Sequence, residues 1–314
     1  MSQTVEPVAK LSNSAEIPRT KRHVARRGLF CALGAYVGWG FIPLYFRAVS
    51  EVPPFIVLCH RICWSVLFLV GVVTFKKEWS SIWKVVRDRR SMVFLSAGAA
   101  LIASNWLLFI YAVTTHQLLQ ASLGYFINPL LSIALGMIFL KEKLRGWQWF
   151  AVALAALAVA NLAVQGRGFP WLALSLALTF GFYGLVRKKV NIDSLRGLLV
   201  ETAILLPMAV VVLALPSAPG VTGHMLGLLS LSGVFTAVPL LLFGVGVREL
   251  KLSTLGFLQY AGPTLQFLVA LLIFREPLAP AKLGSFGLCW AAIAVYAADS
   301  IINRVPQPLV DEPD

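Results

Sequence analysis

The sequence predicts an all-α polytopic membrane protein: ten transmembrane helices in two inverted-topology repeats of five, with both termini on the cytoplasmic side. Three observations carry this. Of 314 residues, 58% are hydrophobic and only 13% charged, about half the charge of an ordinary soluble domain. The apolar residues gather into runs of about 17 to 23, the length a helix needs to cross a hydrocarbon core of about 30 Å; the alternating ten-residue segments of a β-barrel are missing. Finally, a motif in the fourth run returns in the ninth.

Residues 1–27 are polar, with Lys21, Arg22, Arg26 and Arg27 before the first run and no small-residue cleavage site after it. They read as a cytoplasmic tail leading into a retained signal-anchor. The runs cover about 28–46, 55–75, 92–114, 118–140, 146–164, 170–186, 197–215, 227–247, 253–274 and 283–302. The connecting loops are too short for a soluble domain, and residues 303–314 form a polar tail.

Loop lysines and arginines set the orientation. With the N-terminus inside, 22 of them fall on the cytoplasmic side, including Arg187, Lys188 and Lys189 after the sixth run. The outer loops hold only 4, at Arg47, Arg167, Arg275 and Lys282. The net charge of +13 is thereby an orientation signal, and no nucleic-acid partner is implied.

The fourth run contains S-L-G-Y-F-I-N-P-L-L from Ser122, and the ninth contains T-L-G-F-L-Q-Y-A-G-P-T-L from Thr254. Glu142 follows Pro129 by thirteen residues, as Glu276 follows Pro263, and A-A-L-A-V at 155–159 echoes A-A-I-A-V at 291–295. More faintly, G-W-G at 38–40 recurs as G-F-Y-G at 181–184. Two units follow, 28–164 and 165–302. Five spans being an odd number, the second unit enters the membrane from the opposite face, as in many secondary carriers whose substrate site lies near the midplane. Pro129 and Pro263 are expected to break the middles of runs four and nine, freeing the carbonyls of Tyr125 and Gln259. Those groups either line a cavity or are satisfied by neighbouring helices.

Charges at membrane depth are costly and mark function. Arg61 lies about 9 Å into the second run and Glu201 about 6 Å into the seventh, on opposite sides of the midplane, so a direct pair between them does not follow. Each is expected to line or gate one side of a shared pathway. Arg61 can anchor a carboxylate or snorkel to headgroups. Glu201 is the candidate to take up a proton, or sits solvated at the interface. Asn105 hydrogen-bonds either substrate or a neighbouring helix. With Asn128, the residues Trp39, Tyr125, Tyr183, Gln259, Tyr260 and Gln266 supply an amphipathic, partly aromatic lining suited to small organic solutes. His60 reads as a packing residue, and Trp79, Trp83 and Trp147 as an interface belt.

Cys31, Cys59, Cys63 and Cys289 all lie in apolar runs. Cys59 and Cys63 with His60 are too few for a structural zinc site and read as small buried hydrophobes; no metal or cofactor is expected.

The strings C-H-R-I-C-W-S (59–65), S-N-W-L-L-F-I-Y-A-V (104–113), Q-A-S-L-G-Y-F-I-N-P-L (120–130) and F-Y-G-L-V-R-K-K (182–189) closely resemble the RarD proteins, as does the ninth-run motif. These belong to the EamA-type branch of the drug/metabolite transporter superfamily. The resemblance covers about residues 28–302 and implies ten helices in a bacterial inner membrane. It also implies transport of amino acids, metabolites or drugs; the RarD name is linked to chloramphenicol without establishing a substrate.

The expected activity is secondary transport of a small organic solute by alternating access, coupled to protons and directed outward. The alternative is a passive channel, for which no filter-like segment or charged ring is present. An enzyme is disfavoured: there is no H-E-x-x-H, paired aspartates or Ser/His/Asp set. The absence of a P-loop motif argues against ATP-driven pumping by this chain.

Overall fold

The computed structural model describes residues 19–114, 118–164, 171–190, 192–215, 221, 223–273 and 280–303. Every described element is helical: α1 (Arg19–Ala48), α2 (Pro54–Phe75), α3 (Trp79–Arg87), α4 (Arg89–Thr114), α5 (Leu118–Leu140), α6 (Gly146–Val164), α7 (Trp171–Lys189), α8 (Ser194–Ala214), α9 (Gly223–Glu249), α10 (Leu252–Gln259), α11 (Ala261–Leu272) and α12 (Pro280–Ile302). Six of the described helices are long and apolar enough to cross a membrane. Arg167, Arg275, Glu276 and His116 lie outside the described residues, as do most of the two tails.

The boundaries follow local chemistry. Pro54 occupies the first position of α2, where a missing N–H costs nothing. Asp193 caps α8 by accepting from Leu195 N at 3.0 Å. Lys77 and Lys141, at φ of 57° and 55°, end α2 and α5 in the left-handed conformation of a helix C-terminus. The first helix starts at Arg19, so the end of the expected polar tail is helical.

Two features depart from expectation. The loop after the second run contains α3, a short amphipathic helix whose Ile82 is buried while Trp83 stays 59% exposed. Its Trp79 Nε1 donates to Thr74 Oγ1 at 3.1 Å. The prolines also behave differently from the breaks expected of them. The fifth helix runs through Pro129 uninterrupted, because the flanking i→i−4 bonds carry the helix past one lost donor. In the ninth run the interruption falls at Tyr260, and Pro263 stands in the first turn of α11, where no helical donor is needed.

Helix packing has a regular plan. The main pairs are α1 on α9, α4 on α7, α2 on α9, α4 on α8, α5 on α7 and α1 on α11. Three further pairs are α2 on α8, α5 on α10 and α6 on α12. Exchanging α1 for α7, α2 for α8, α4 for α9, α5 for α10 and α11, and α6 for α12 maps this set onto itself. At the α5–α10 crossing the backbones touch closely: a Cβ on Gly256 would lie 2.6 Å from the Pro129 carbonyl oxygen, a separation only glycine permits.

The largest core cluster joins α1, α2, α4, α7, α8 and α9. Tyr36, Trp39, Phe180, Tyr183 and Phe243 form its aromatic centre, with ring centroids 5.2–6.4 Å apart. Large apolar side chains on the outer surface, such as Val93 and Ile138, are exposed, as lipid-facing positions are.

Candidate functional site

The candidate site draws on α1, α2, α4, α5, α9 and α10, and Arg61 is its charged member. Its Nε donates to Thr236 Oγ1 at 2.9 Å. The guanidinium carbon stands 5.5 Å from the Phe46 ring centroid and 5.5 Å from that of Trp106, within cation–π range. The Tyr45 and Tyr125 side chains are close enough to interact with it electrostatically. No aspartate or glutamate among the described residues pairs with it. Its Nη groups therefore retain donors in an aromatic setting, which suits a planar anion such as a carboxylate.

Tyr125 connects this position to the helix crossing. It lies on α5 with its ring 6.3 Å from Phe109; Asn128 follows three residues later and Ser132 four after that, along one helix face. Asn128 is buried, and its Oδ1 accepts no hydrogen bond from the described protein. Gln259 reaches across from α10, its Nε2 donating to Ser132 Oγ at 3.1 Å while its buried Oε1 stays unpaired. Tyr260 is fully packed, its hydroxyl donating to the Phe126 carbonyl at 3.5 Å. Tyr125 thus lies within electrostatic reach of Arg61, while Asn128, Gln259 and Tyr260 lie at the α5–α10 crossing.

Glu201 belongs elsewhere. It is 1% exposed; its Oε1 lies 3.5 Å from Arg187 Nη1, and its Oε2 accepts from the Tyr183 hydroxyl at 3.1 Å. Arg187, counted from the sequence as a cytoplasmic loop residue, is only 2% exposed inside the bundle. The signal for it was present but masked by its neighbours: Tyr183 and Arg187 share a helix face at i,i+4, whereas the adjacent Lys188 and Lys189 suggested a solvated run. Arg61 and Glu201 have different partners, Thr236 and Arg187 respectively.

Asn105 serves helix contact, its Nδ2 donating to the Leu176 carbonyl and to Thr179 Oγ1, both at 2.9 Å, which ties α4 to α7. Trp39 and Tyr183 belong to the aromatic core, and Gln266 Nε2 donates to the Trp39 carbonyl at 3.1 Å. Thr236, Ser132 and Tyr36 were not anticipated. Hydroxyls in apolar runs give no sequence signal until a charged or amide group is placed beside them.

The ion pairs cluster at one end of the bundle. Arg27 pairs with Glu249, Arg196 with Glu78, Arg248 with Asp193, and Arg145 with Asp299. There Glu142 also accepts from Leu252 N at 2.7 Å and Ser253 N at 2.9 Å, capping α10 from the far side of the crossing. Among the described residues no group of three or more His, Cys, Asp or Glu is placed to hold a metal.

Residues 26–164 match the EamA-like transporter family. Protein RarD of Escherichia coli is 44% identical over 286 residues, covering 89% of this chain and 96% of its own. An uncharacterized transporter of Pseudomonas aeruginosa is 44% identical over 295 residues, covering 90% and 98%. The chloramphenicol-sensitive protein RarD of the same organism is 28% identical, covering 88% and 95%. A protein of known crystal structure, 17% identical, superimposes with a TM-score of 0.68 over 88% of this chain and 99% of its own, a likeness of fold. Long apolar helices and near full-length identity to transporters agree: the chain is a multi-pass membrane protein of the RarD family, in the EamA branch of the drug/metabolite transporter superfamily, whose members are transporters and not enzymes.

Proposed function

We propose that the protein is a secondary carrier of small organic solutes in a bacterial inner membrane, working by alternating access and coupled to protons in the export direction. Ten spans, N-in and C-in, form two inverted units at about 28–164 and 165–302; the self-mapping set of helix pairs supports this plan. The main helix pairs of one unit have counterparts in the other, as a repeat requires. The observation that carries the reading is Arg61. An arginine within an apolar helix, held by Thr236, flanked by Phe46 and Trp106 and unpaired with any described acid, is costly unless it serves a solute.

In this reading Arg61 takes the anionic group, and Tyr125 with the neighbouring rings contacts its organic part. Asn128, Gln259 and Tyr260 stand where the two units cross, beside Pro129 and the helix interruption at Tyr260. Glu201 takes the coupling proton, exchanging its bond to Arg187 for the protonated state when its end of the bundle opens.

The test is solute flux into proteoliposomes under an imposed pH gradient, screening amino acids, other carboxylated metabolites and chloramphenicol. Saturable flux that depends on the gradient is expected. Flux rising linearly with concentration would identify a channel, and coupled flux unchanged in Glu201→Gln would remove the proton role.

A further inference from the structure

The segment from Lys76 to Arg90 carries six cations, Lys76, Lys77, Lys84, Arg87, Arg89 and Arg90, and all six are exposed. Its two acids are engaged elsewhere. Glu78 accepts from Arg196 Nε at 3.1 Å, which ties this segment to α8, and Asp88 accepts from Ser91 N at 2.9 Å. Among the described residues no carboxylate forms a salt bridge with any of the six. Arg89 and Arg90 open α4, where the helix carries its own partial positive charge and disfavours a cation. The stability of α4 therefore does not account for them.

The nine residues of α3 sort their side chains by face. At about 100° per residue, Ile82 and Val85 share the side turned to the bundle, and both belong to the main core cluster. Trp79, Trp83 and Val86 run along a second side at i, i+4 and i+7, and they are 38%, 59% and 39% exposed. Arg87 and Lys84 follow next around the helix. Phe75, the last residue of α2, is exposed as well. Tryptophan beside basic residues, on a short helix directly after a membrane span, suits the headgroup layer of a bilayer.

We propose that α3 and the start of α4 form a binding surface for anionic phospholipids. Trp79, Trp83 and Val86 sit at the boundary of the acyl chains, and Lys84, Arg87, Arg89 and Arg90 take the headgroup phosphates. A soluble anion would use the cations and leave the exposed apolar side in water, whereas an amphiphilic anion covers both. The surface draws only on the chain being a membrane protein, so it stands or falls apart from the carrier reading.

The test places the full-length protein in phosphatidylcholine nanodiscs that contain a small fraction of acyl-brominated lipid, either phosphatidylglycerol or phosphatidylcholine. Bromine quenches tryptophan fluorescence only near contact, so the excess quenching by the anionic lipid measures its local enrichment. About tenfold enrichment is expected at low salt, as one or two cation contacts supply, and it should fall as salt rises. The excess should vanish in Trp79→Phe with Trp83→Phe, which removes the reporters. It should also vanish when Lys84, Arg87, Arg89 and Arg90 are all changed to Gln, which keeps them. That charge variant is expected to melt with the parent in pure phosphatidylcholine, because its altered side chains are exposed and form no salt bridge. Equal quenching by the two lipids overturns the proposal, as does an excess that survives either set of substitutions. Loss of the excess on adding inorganic phosphate at constant ionic strength would assign the cations to a soluble anion. Binding of polyglutamate with no excess for the anionic lipid would assign the face to an acidic protein partner. Either result also overturns the proposal.

Discussion

Glu142 grips Ser253 twice, accepting from its main-chain N–H at 2.9 Å and from its hydroxyl at 2.6 Å. With the further bond from Leu252 N, one carboxylate just after α5 satisfies two of the free donors at the start of α10. A carboxylate at a helix N-terminus is favoured by both hydrogen bonding and the helix dipole. Glu142→Ala is therefore expected to destabilise the protein by about 1–3 kcal/mol, read as a lower thermal midpoint. Combining it with Ser253→Ala should cost less than the sum, because the two substitutions remove a shared interaction.

The Arg187–Glu201 pair is buried on both sides, so removing one partner strands a charge. Arg187→Met is expected to cost about 3–5 kcal/mol, whereas Arg187→Met with Glu201→Gln should recover most of that loss. Chemical or thermal unfolding of the four proteins in the cycle measures it. If the single and double variants are equally unstable, the pair is not the source of the effect.

The Arg61 guanidinium presents a planar donor edge, a geometry lysine cannot reproduce, and in the proposed carrier that edge takes the solute's anionic group. For a carboxylated substrate, Arg61→Lys is expected to raise the half-saturation concentration about tenfold or more, with Arg61→Met worse still. Amide or ester analogues of that substrate should lose affinity in the parent protein but little in Arg61→Met. Concentration-dependent uptake in proteoliposomes provides the comparison.

Close helix contact is enforced at Gly233, where a Cβ would fall 2.4 Å from the Trp64 carbonyl carbon. Gly233→Ala must push α2 from α9, at a cost of about 1–3 kcal/mol. Gly71, on the same α2, has nothing within 4 Å of such a Cβ. Gly71→Ala is expected to be neutral or to stabilise by up to about 1 kcal/mol. Paired melting curves separate the two positions.

Asp88, between α3 and α4, accepts from the Ser91 hydroxyl and from Ser91 N. These bonds hold its carboxyl below the ordinary carboxylate range, the hydroxyl contributing most. A lowered folded value means that the cap is fully present above the unfolded value, about 3.9, and is lost as pH falls through the lower folded one. Amide exchange at the start of α4 should rise over that acid interval. Asp88→Asn, which keeps an acceptor without titrating, should flatten the rise.

The described spans were legible because apolar runs of membrane length leave the backbone no option except to satisfy its own hydrogen bonds as helix. Boundaries such as 54–75 for α2 and 146–164 for α6 match those read from hydropathy almost residue for residue. The third helix was not legible: its nine residues mix tryptophan with basic side chains and register as loop composition. The neighbourhood of Asn128 and Gln259 was visible in the repeated motif, since the fourth and ninth runs share a glycine and proline pattern and α5 and α10 pack on each other.

The sequence by itself determined that this protein lives in a membrane, where its long apolar helices lie, which family it resembles and most of the polar residues within those helices. Those properties are summed along the chain, and composition, spacing and periodicity express them directly. Only the tertiary structure decided the partners of those polar residues. Arg187 turns inward to Glu201 while Lys189 beside it stays exposed; Asn105 is consumed by Thr179 and Leu176, whereas Asn128 keeps a free oxygen. The physical reason is that in an apolar interior a polar group's role depends on whether another helix brings it a complementary atom, and that is settled by packing between separate helices, as between Asn105 on α4 and Thr179 on α7.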